Sequence, residues 1–290
     1  MQAFFGQTRH TLSLWSCGTI LVTMLFGPVQ GLAAPSLMQM WKDATQDGSY
    51  CPTSEDELRQ AELLFVRTLS QQEGQDDLQR EWTTVGMELL SIKGKDETLW
   101  GIREQSSRKT GRGIYAVRVG KAQSLAIQAP HSGADRYTGE IALRLMQEGK
   151  AKAGAWRTVS RNKADLAHLE GTYFQAFTRA FAQVFPSGQI LQLHGFDQEK
   201  RVGRSVGETE IVLSNGTTTP PARLTQVANC WKHALSVVIK RYPDETKDLG
   251  ATTNAQALLL RSLGHSGFLH VEMSEEIRAQ LQKDPARRAA

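Results

Sequence analysis

Short apolar runs alternate with longer amphipathic segments over residues 123–283, and this alternation limits the possible folds more than any other feature. The run "QSLAIQA" (123–129) is typical of a buried strand, and "YTGEIALRLMQEG" (137–149) is typical of a helix that ends at a glycine. Further strands are predicted at 155–160, 188–193 and 267–273. The alternation predicts an α/β fold with a mixed, largely parallel open sheet that carries helices on both faces.

The segment before this region has a different pattern. Ser54 is placed as the N-cap of a helix, with Glu57 three residues later. Three strand-like runs separated by glycines and charges follow from about residue 83, which indicates a hairpin or meander. We therefore predict a helical and β-meander extension at 35–112 and an α/β domain at 113–290.

Residues 1–34 have the pattern of a secretory signal peptide: a basic start, an apolar run and small residues near the expected cleavage site. Gly27 and Pro28 interrupt the apolar run, whereas a membrane span needs about 20 continuous apolar residues. We therefore expect a periplasmic or secreted protein without stable membrane insertion after cleavage. A retained anchor and lipid modification of Cys17 are the alternatives.

The charge of the chain argues against a nucleic-acid partner. Residues 1–34 contain one Arg and no acidic residue, so the 34 basic and 30 acidic residues of the whole chain become 33 and 30 after cleavage, a net charge of +3. The basic residues are scattered, whereas nucleic-acid binding requires a basic stripe.

Two cysteines remain after cleavage, Cys51 and Cys230. In an oxidising compartment such a pair is a candidate disulfide, and two buried free thiols are the alternative.

Polar side chains collect at the ends of the predicted strands. In an open α/β sheet, ligands bind beyond the carboxyl ends of the strands, so these side chains should meet at one edge. The side chains at these positions are His131, Asp135, Arg161, Asn162, His194, His270 and Glu272.

Two histidines and a carboxylate are a common ligand set for a catalytic zinc ion, which keeps a further position open. His131 and Asp135 are the two ligands that lie close together in sequence, and His194 is the third, distant in sequence. We therefore predict one bound zinc ion. The alternatives are a turn-capping role for His131, a core role for His194, and Glu140 in place of Asp135.

The remaining polar residues suggest catalytic roles. Glu272 lies on an apolar strand, where a carboxylate should be either paired or functional, and we predict that it is the general base. Its alternative is a structural ion pair with an arginine. Arg161 can bind a substrate carboxylate through its planar guanidinium. Asp165 and His168 are expected to support Arg161 and the pocket, with a second metal pair as the alternative.

Four segments carry most of these side chains: "APHSGADRYTGEIA" (129–142), "VSRNKADLAH" (159–168), "LQLHGF" (191–196) and "LHVEMSEEIR" (269–278). Together they resemble the zinc-dependent carboxypeptidase-like amidohydrolases, a group that includes zinc carboxypeptidases, N-formylglutamate amidohydrolases and poly-gamma-glutamate hydrolases. The resemblance covers roughly residues 113–285. It implies a mixed α/β sheet, one zinc ion and hydrolysis of an amide next to a carboxylate.

The resemblance also has departures. Zinc carboxypeptidases use a His-x-x-Glu pair, but Ala134 stands three residues after His131 and the acid follows as Asp135. The Arg161–Asn162 pair is similar to the Asn-Arg pair of the carboxypeptidases in reversed order, and the resemblance implies a substrate-binding role for both.

These observations predict a secreted or periplasmic zinc-dependent hydrolase of a peptide or N-acyl amino acid, with Glu272 as general base. The alternative from another class is a binding protein that has kept the fold and lost catalysis. A serine hydrolase is disfavoured, because "GHSGF" (264–268) lacks the Gly-x-Ser-x-Gly pattern. Substrate identity and oligomeric state stay open.

Overall fold

The computed structural model describes residues 35–44, 49–94, 97–201, 203 and 205–289. The predicted signal peptide and Cys17 lie outside these residues. Among the helices in the described ranges, none is long and apolar enough to cross a membrane.

Nine strands of the described chain form one sheet. They are β1 (Met87–Lys93), β2 (Thr98–Glu104), β3 (Ile114–Arg118), β4 (Gln123–Ala129), β5 (Ala151–Trp156), β6 (Gln189–Gly195), β7 (Ile211–Ser214), β8 (Ile239–Arg241) and β9 (Phe268–Met273). The helices are α1 (Leu37–Ala44), α2 (Glu55–Ser70), α3 (Gln75–Thr84), α4 (Thr138–Glu148), α5 (Tyr173–Val184), α6 (Ala222–Leu235), α7 (Ala255–Ser262), α8 (Glu275–Lys283) and α9 (Pro285–Ala289).

The strand order is β1-β2-β3-β5-β4-β6-β9-β7-β8. The four central strands β5, β4, β6 and β9 run parallel to one another, as does the outer pair β7 and β8. The other neighbouring pairs are antiparallel. The predicted mixed open sheet is therefore confirmed, and its parallel part is the centre, where strand ends can converge on a site.

Each face of the sheet carries its own apolar core. Ala126 of β4 and Ile190 of β6 pack in the core formed with α2, α3, α5 and α7. Ile127 and Leu193, on the same two strands, pack in the core formed with α1, α4, α6 and α8. Because side chains alternate between the two faces of a strand, both faces are buried and both carry helices, as predicted.

Two of the predicted strands have shifted boundaries in the structure. The strand predicted at 155–160 is β5, which ends at Trp156, so Arg161 lies in the following loop. The start of the strand was missed because "AKAGAW" (151–156) consists largely of small residues and lacks the β-branched residues that are typical of a strand. The strand predicted to end at 193 continues to Gly195, which places His194 inside β6.

The predicted extension at 35–112 contributes to the same sheet, because β1 and β2 continue it beyond β3. Helix α2 packs against α5 of the α/β part, and Phe65 of α2 stacks edge-on against Tyr115 and Phe177. The described residues between 35 and 289 accordingly form one compact unit.

The predicted disulfide is not formed in this structure. Cys51 and Cys230, both within the described residues, are exposed free thiols. Cys51 precedes α2 and its amide donates to the Thr110 carbonyl, whereas Cys230 lies on α6, which belongs to the opposite face of the sheet. A disulfide requires the two Cα atoms to approach within about 7 Å, and the sheet separates these two.

An ion pair between a half-buried glutamate and a buried arginine holds the start of α2 against the rest of the chain. The Glu57 carboxylate accepts from Nε and Nη2 of Arg112 at 2.9 and 3.2 Å, and from the Tyr173 hydroxyl at 3.1 Å. Arg112 is 4% exposed, so its buried positive charge is compensated mainly by the Glu57 carboxylate.

We predict that Glu57→Gln lowers the free energy of unfolding by about 3 kcal/mol, because it leaves the buried Arg112 charge without its counter-ion. Urea unfolding followed by circular dichroism measures the change. Glu55→Gln is the matched control, since Glu55 lies in the same helical turn with an exposed side chain, and it should cost under about 0.5 kcal/mol. Equal losses in the two variants would contradict the prediction.

Candidate metal centre

The carboxyl ends of β4, β6 and β9 bring buried histidines and carboxylates to one place. His194 and Glu272 are neighbours in the register of β6 and β9, and Gln192 and His270 are neighbours one level deeper. These four side chains point to the α5 and α7 face, because each is an even number of residues from Ile190 or Phe268 in that core. His131 follows β4 by two residues.

The loop after β4 folds as a short helical turn. The Asp135 amide donates to the His131 carbonyl at 2.9 Å, which places both side chains on one side of the turn. The His131 Nδ1 atom is 3.3 Å from Asp135 Oδ2, and this same oxygen accepts from the Gly195 amide at 2.9 Å. Asp135 thereby joins the loop to the end of β6.

His194 completes a group of three possible metal ligands. Its Nδ1 atom lies 3.1 Å from His131 Nδ1 and 3.7 Å from Asp135 Oδ2, and the three ligand atoms all lie within 4.8 Å of one another. All three residues are buried. Two imidazole nitrogens and one carboxylate oxygen facing the same small volume are the donor set that a zinc ion prefers, so these residues fit the predicted metal.

Asp165 orients His131 from the side away from this group. Its Oδ1 atom is 2.7 Å from His131 Nε2, and its Oδ2 atom accepts from Arg161 Nε at 3.0 Å. The predicted Asp165–Arg161 pair is thus present, and the contact with His131 adds a role that was not predicted. A carboxylate on the outer ring nitrogen leaves the inner Nδ1 free to bind a metal.

The electrostatics of the group follow from burial and these contacts. Burial opposes the charged form of His131, but its hydrogen bonds to Asp135 and Asp165 outweigh burial and raise its pKa. Burial opposes the ionised form of Asp165, yet the hydrogen bond and charge of His131, with Arg161, hold its pKa well below the usual range. Burial, with the nearby His270 and His131, lowers the pKa of His194 well below its ordinary value and keeps this ring neutral.

A second group of possible ligands shares His194 with the first. It consists of His194, His270 and Glu272, whose ligand atoms also lie within 4.8 Å of one another. The His270 Nδ1 and Glu272 Oε2 atoms are buried without a hydrogen-bond partner. Burial lowers the pKa of His270 to about 3, and burial with the charge of Asp135 raises the pKa of Glu272 to about 7.

His270 received no site role from its sequence position, although a signal existed. It stands two residues before Glu272, and in a strand this spacing places both side chains on the same face. Its ring packs 4.5 Å from the ring of His194, centroid to centroid.

A cavity of about 410 Å³ opens onto both groups. Beyond the buried ligands, its wall contains the cationic side chains of Arg161, Arg201 and Lys247, together with His168, whose Nδ1 atom bonds the Thr253 carbonyl at 3.0 Å. The rest of the loop 247–253 also lines the cavity. The cationic residues lie where the carboxylate of a substrate could be held.

Two of the candidate residues lie away from this cavity. Glu140 is on α4, where its Oε2 atom accepts from Gln282 Nε2 at 2.8 Å, so Asp135 is the carboxylate that stands beside the histidines. Asn162 is exposed and does not line the cavity, whereas Arg161 does. The loop after β5 turns Arg161 inward through its pair with Asp165 and leaves Asn162 outside.

No protein-family model and no curated protein matches the chain. Solved structures with a similar fold include N-formylglutamate amidohydrolase from Ralstonia eutropha JMP134, with 14% identity, 61% of this chain and 94% of that chain covered, and a TM-score of 0.44. A structure described as a candidate metallopeptidase from Shewanella amazonensis SB2B has 10% identity, 74% and 90% coverage and a TM-score of 0.39.

A third structure, described as a candidate carboxypeptidase from Burkholderia mallei ATCC 23344, has 14% identity, 78% and 60% coverage and a TM-score of 0.36. These names fall in the group that the sequence motifs resemble. At such identities and TM-scores, the chemistry of this chain has to be argued from its own side chains.

Proposed function

We propose that this chain is a zinc-dependent amidohydrolase that cleaves a peptide or N-acyl amino acid at an amide bond close to a carboxylate. The observation that carries the proposal is the convergence of His131, Asp135 and His194 on one point beside an open cavity. Three protein ligands with room for a further one are the arrangement of a catalytic zinc site, whereas structural sites are closed by protein ligands.

The first role of the chain is to hold the ion. His131 and His194 would bind it through their Nδ1 atoms and Asp135 through Oδ2, the oxygen that already faces both rings. When bound, zinc supplies the positive charge that acidifies a water molecule and polarises a carbonyl oxygen. Asp165 keeps His131 oriented for this purpose.

Glu272 serves as the general base in this proposal. Its carboxylate is next to His194 across the strand pair, and its Oε2 atom is buried without a partner. A pKa raised to about 7 by burial suits a group that takes a proton from the attacking water and passes it to the leaving nitrogen.

Arg161 binds the carboxylate of the substrate. Its side chain lies at the cavity wall, is 44% exposed and is held by Asp165 through Nε, which leaves its two terminal nitrogens available. A planar guanidinium suits a carboxylate better than an ammonium group does. Because Asn162 lies outside the cavity, we assign this role to Arg161 alone.

The signal-like segment 1–34 supports a periplasmic or secreted location as part of the proposal. In that compartment, peptides and N-acyl amino acids with free carboxylates are the substrate class to screen first.

Elemental analysis of protein purified without added metal tests the proposal. We expect about one zinc ion per chain, together with hydrolysis of at least one N-acyl amino acid or peptide that stops when dipicolinate removes the metal and returns when zinc is restored. A protein that neither retains nor takes up zinc would refute the proposal. Stoichiometric zinc without hydrolysis of any tested amide would favour the binding-protein alternative.

A further inference from the structure

Beneath the candidate metal centre lies a chain of hydrogen-bonded side-chain amides. It consists of Gln128, Gln192, Asn254 and Gln256, which we call the amide chain. All four residues are 0–2% exposed, on the α5 and α7 side of the sheet. Burying a side-chain amide costs free energy unless its donors and acceptors are hydrogen-bonded, so each amide here is expected to have one preferred set of hydrogen-bond partners.

Gln192 is the centre of the amide chain. Its Oε1 atom is 2.9 Å from His194 Nε2 and accepts from Asn254 Nδ2 at 2.6 Å. Its Nε2 atom donates to Oε1 of Gln128 at 2.9 Å and, more weakly, to Oε1 of Gln256 at 3.3 Å. The oxygen and nitrogen of an amide have nearly the same shape, so its direction has to be deduced from its partners.

Backbone groups at the α7 end determine that direction. Asn254 is the N-cap of α7, and its Oδ1 atom accepts from the amides of Gln256 and Ala257 at 3.0 and 3.1 Å. Its nitrogen must therefore face Gln192. Gln256 Nε2 donates to the Leu166 carbonyl at 3.0 Å, so its oxygen must also face Gln192.

The far end of the amide chain agrees with this assignment. The Thr178 hydroxyl donates to the Phe174 carbonyl at 2.9 Å, so it accepts from Gln128 Nε2 at 2.8 Å, and the Gln128 oxygen is turned toward Gln192. The oxygen of Gln192 therefore points at His194, and the ring atom that meets it must be an N–H.

We propose that Gln192, held in one orientation by Asn254, is a positioning residue that fixes His194 as the Nε2–H tautomer. Neutral imidazole has one N–H and one bare nitrogen, so a proton held on Nε2 leaves Nδ1 free toward His131 and Asp135. The inference rests on the proposed zinc site. Gln192 would orient His194 for metal binding through its outer ring nitrogen, as Asp165 orients His131.

Asn254→Asp tests the assignment with a change of almost no volume. The aspartate can still accept from the first amides of α7, but it presents an oxygen where Asn254 presented a nitrogen. Gln192 then turns its nitrogen toward this oxygen and toward His194 Nε2. It gives up its weak 3.3 Å contact with Gln256, and Gln128 turns with it and accepts from the Thr178 hydroxyl. The ring proton of His194 shifts to Nδ1, which faces His131 and Asp135. We expect zinc affinity to fall about 10–100-fold, measured by competition with a fluorescent chelator.

The direction of the change in zinc affinity shows whether Asn254→Asp acts through the tautomer of His194 or through its added negative charge. A new negative charge near the site should by itself strengthen the binding of a cation. Asn215→Asp is the matched control, because Asn215 accepts from the Thr217 amide and hydroxyl in a turn outside the cavity lining. It adds the same charge and should leave zinc affinity unchanged. Equal or higher affinity in Asn254→Asp would overturn the proposal.

The tautomer can also be read without metal. In zinc-free protein labelled with ¹⁵N, the imidazole nitrogen shifts of His194 should report Nε2–H in the wild type and Nδ1–H in Asn254→Asp. A wild-type His194 with its proton on Nδ1 refutes the proposal, whatever the variant does. This measurement is decisive even if the wild-type protein binds no zinc, a result that would refute the proposed function alone.

Discussion

Replacement of His194 with alanine is expected to abolish zinc binding. His194 is the only residue shared by the two groups of possible ligands in the described part of the chain, so its loss leaves each group with two members. Even residues that only support a ligand are worth about 10–100-fold in metal affinity, so a direct ligand should be worth more than about 100-fold. Elemental analysis after dialysis, and chelator competition, measure the change.

The control for this variant is His233→Ala. His233 is an exposed histidine in the last turn of α6, so its removal tests whether any histidine contributes to the zinc content. Stoichiometric zinc at wild-type affinity in His194→Ala would contradict the proposed site.

Two further variants decide which group holds the ion. If His131, Asp135 and His194 are the ligands, Asp135→Asn loses zinc and His270→Gln keeps it. The opposite result would move the metal to the group of His194, His270 and Glu272, and Glu272 would then be a ligand and not the general base.

The sequence predicts that the residues of the candidate site lie close together, because its main residues follow or end buried strands. His131 follows the apolar run of β4 by two residues, and Glu272 lies near the end of β9. Parallel strands bring such ends to one edge of the sheet whatever the details of packing. For this reason the approximate position of the candidate site follows from the sequence, although the predicted boundaries of β5 and β6 were wrong.

The contacts that orient the ligands could not be predicted in this way. Gln192 and Asn254 are 62 residues apart in sequence, and Asp165 and His131 are 34 apart. Neither pair has a local pattern, because each depends on where a loop or α7 packs against the sheet. The same reason applies to the predicted pairing of Cys51 and Cys230, which is not formed in this structure, since residue spacing alone does not reveal on which side of the sheet each cysteine lies.

Replacement of Glu272 with glutamine is expected to remove hydrolysis and leave zinc in place. Glutamine keeps the size of the side chain but cannot accept a proton, and general-base catalysis of this kind is typically worth 10²–10⁴-fold. We expect kcat/KM to fall about 10³-fold on whichever amide substrate the wild type hydrolyses, which corresponds to about 4 kcal/mol of transition-state stabilisation.

The zinc content of Glu272→Gln has to be measured together with its rate, because it distinguishes a general base from a metal ligand. A general base adjoins the metal site without completing it, so the variant should bind zinc with wild-type stoichiometry and lose turnover alone. Glu275→Gln provides the control, because Glu275 lies three residues further on, in the first turn of α8, with an exposed carboxylate paired to Arg136. That variant should keep both zinc and activity, within about twofold of the wild type.

The two readouts together assign Glu272. If Glu272→Gln keeps its zinc and loses activity, Glu272 acts as the general base. If the variant loses both, Glu272 is a metal ligand in the group of His194, His270 and Glu272. Retained zinc with unchanged activity would mean that the buried, unpartnered Oε2 atom takes no part in proton transfer, and another group at the cavity wall would have to accept the proton. His168 would then be the next residue to test, since it is the cavity-lining histidine outside both groups.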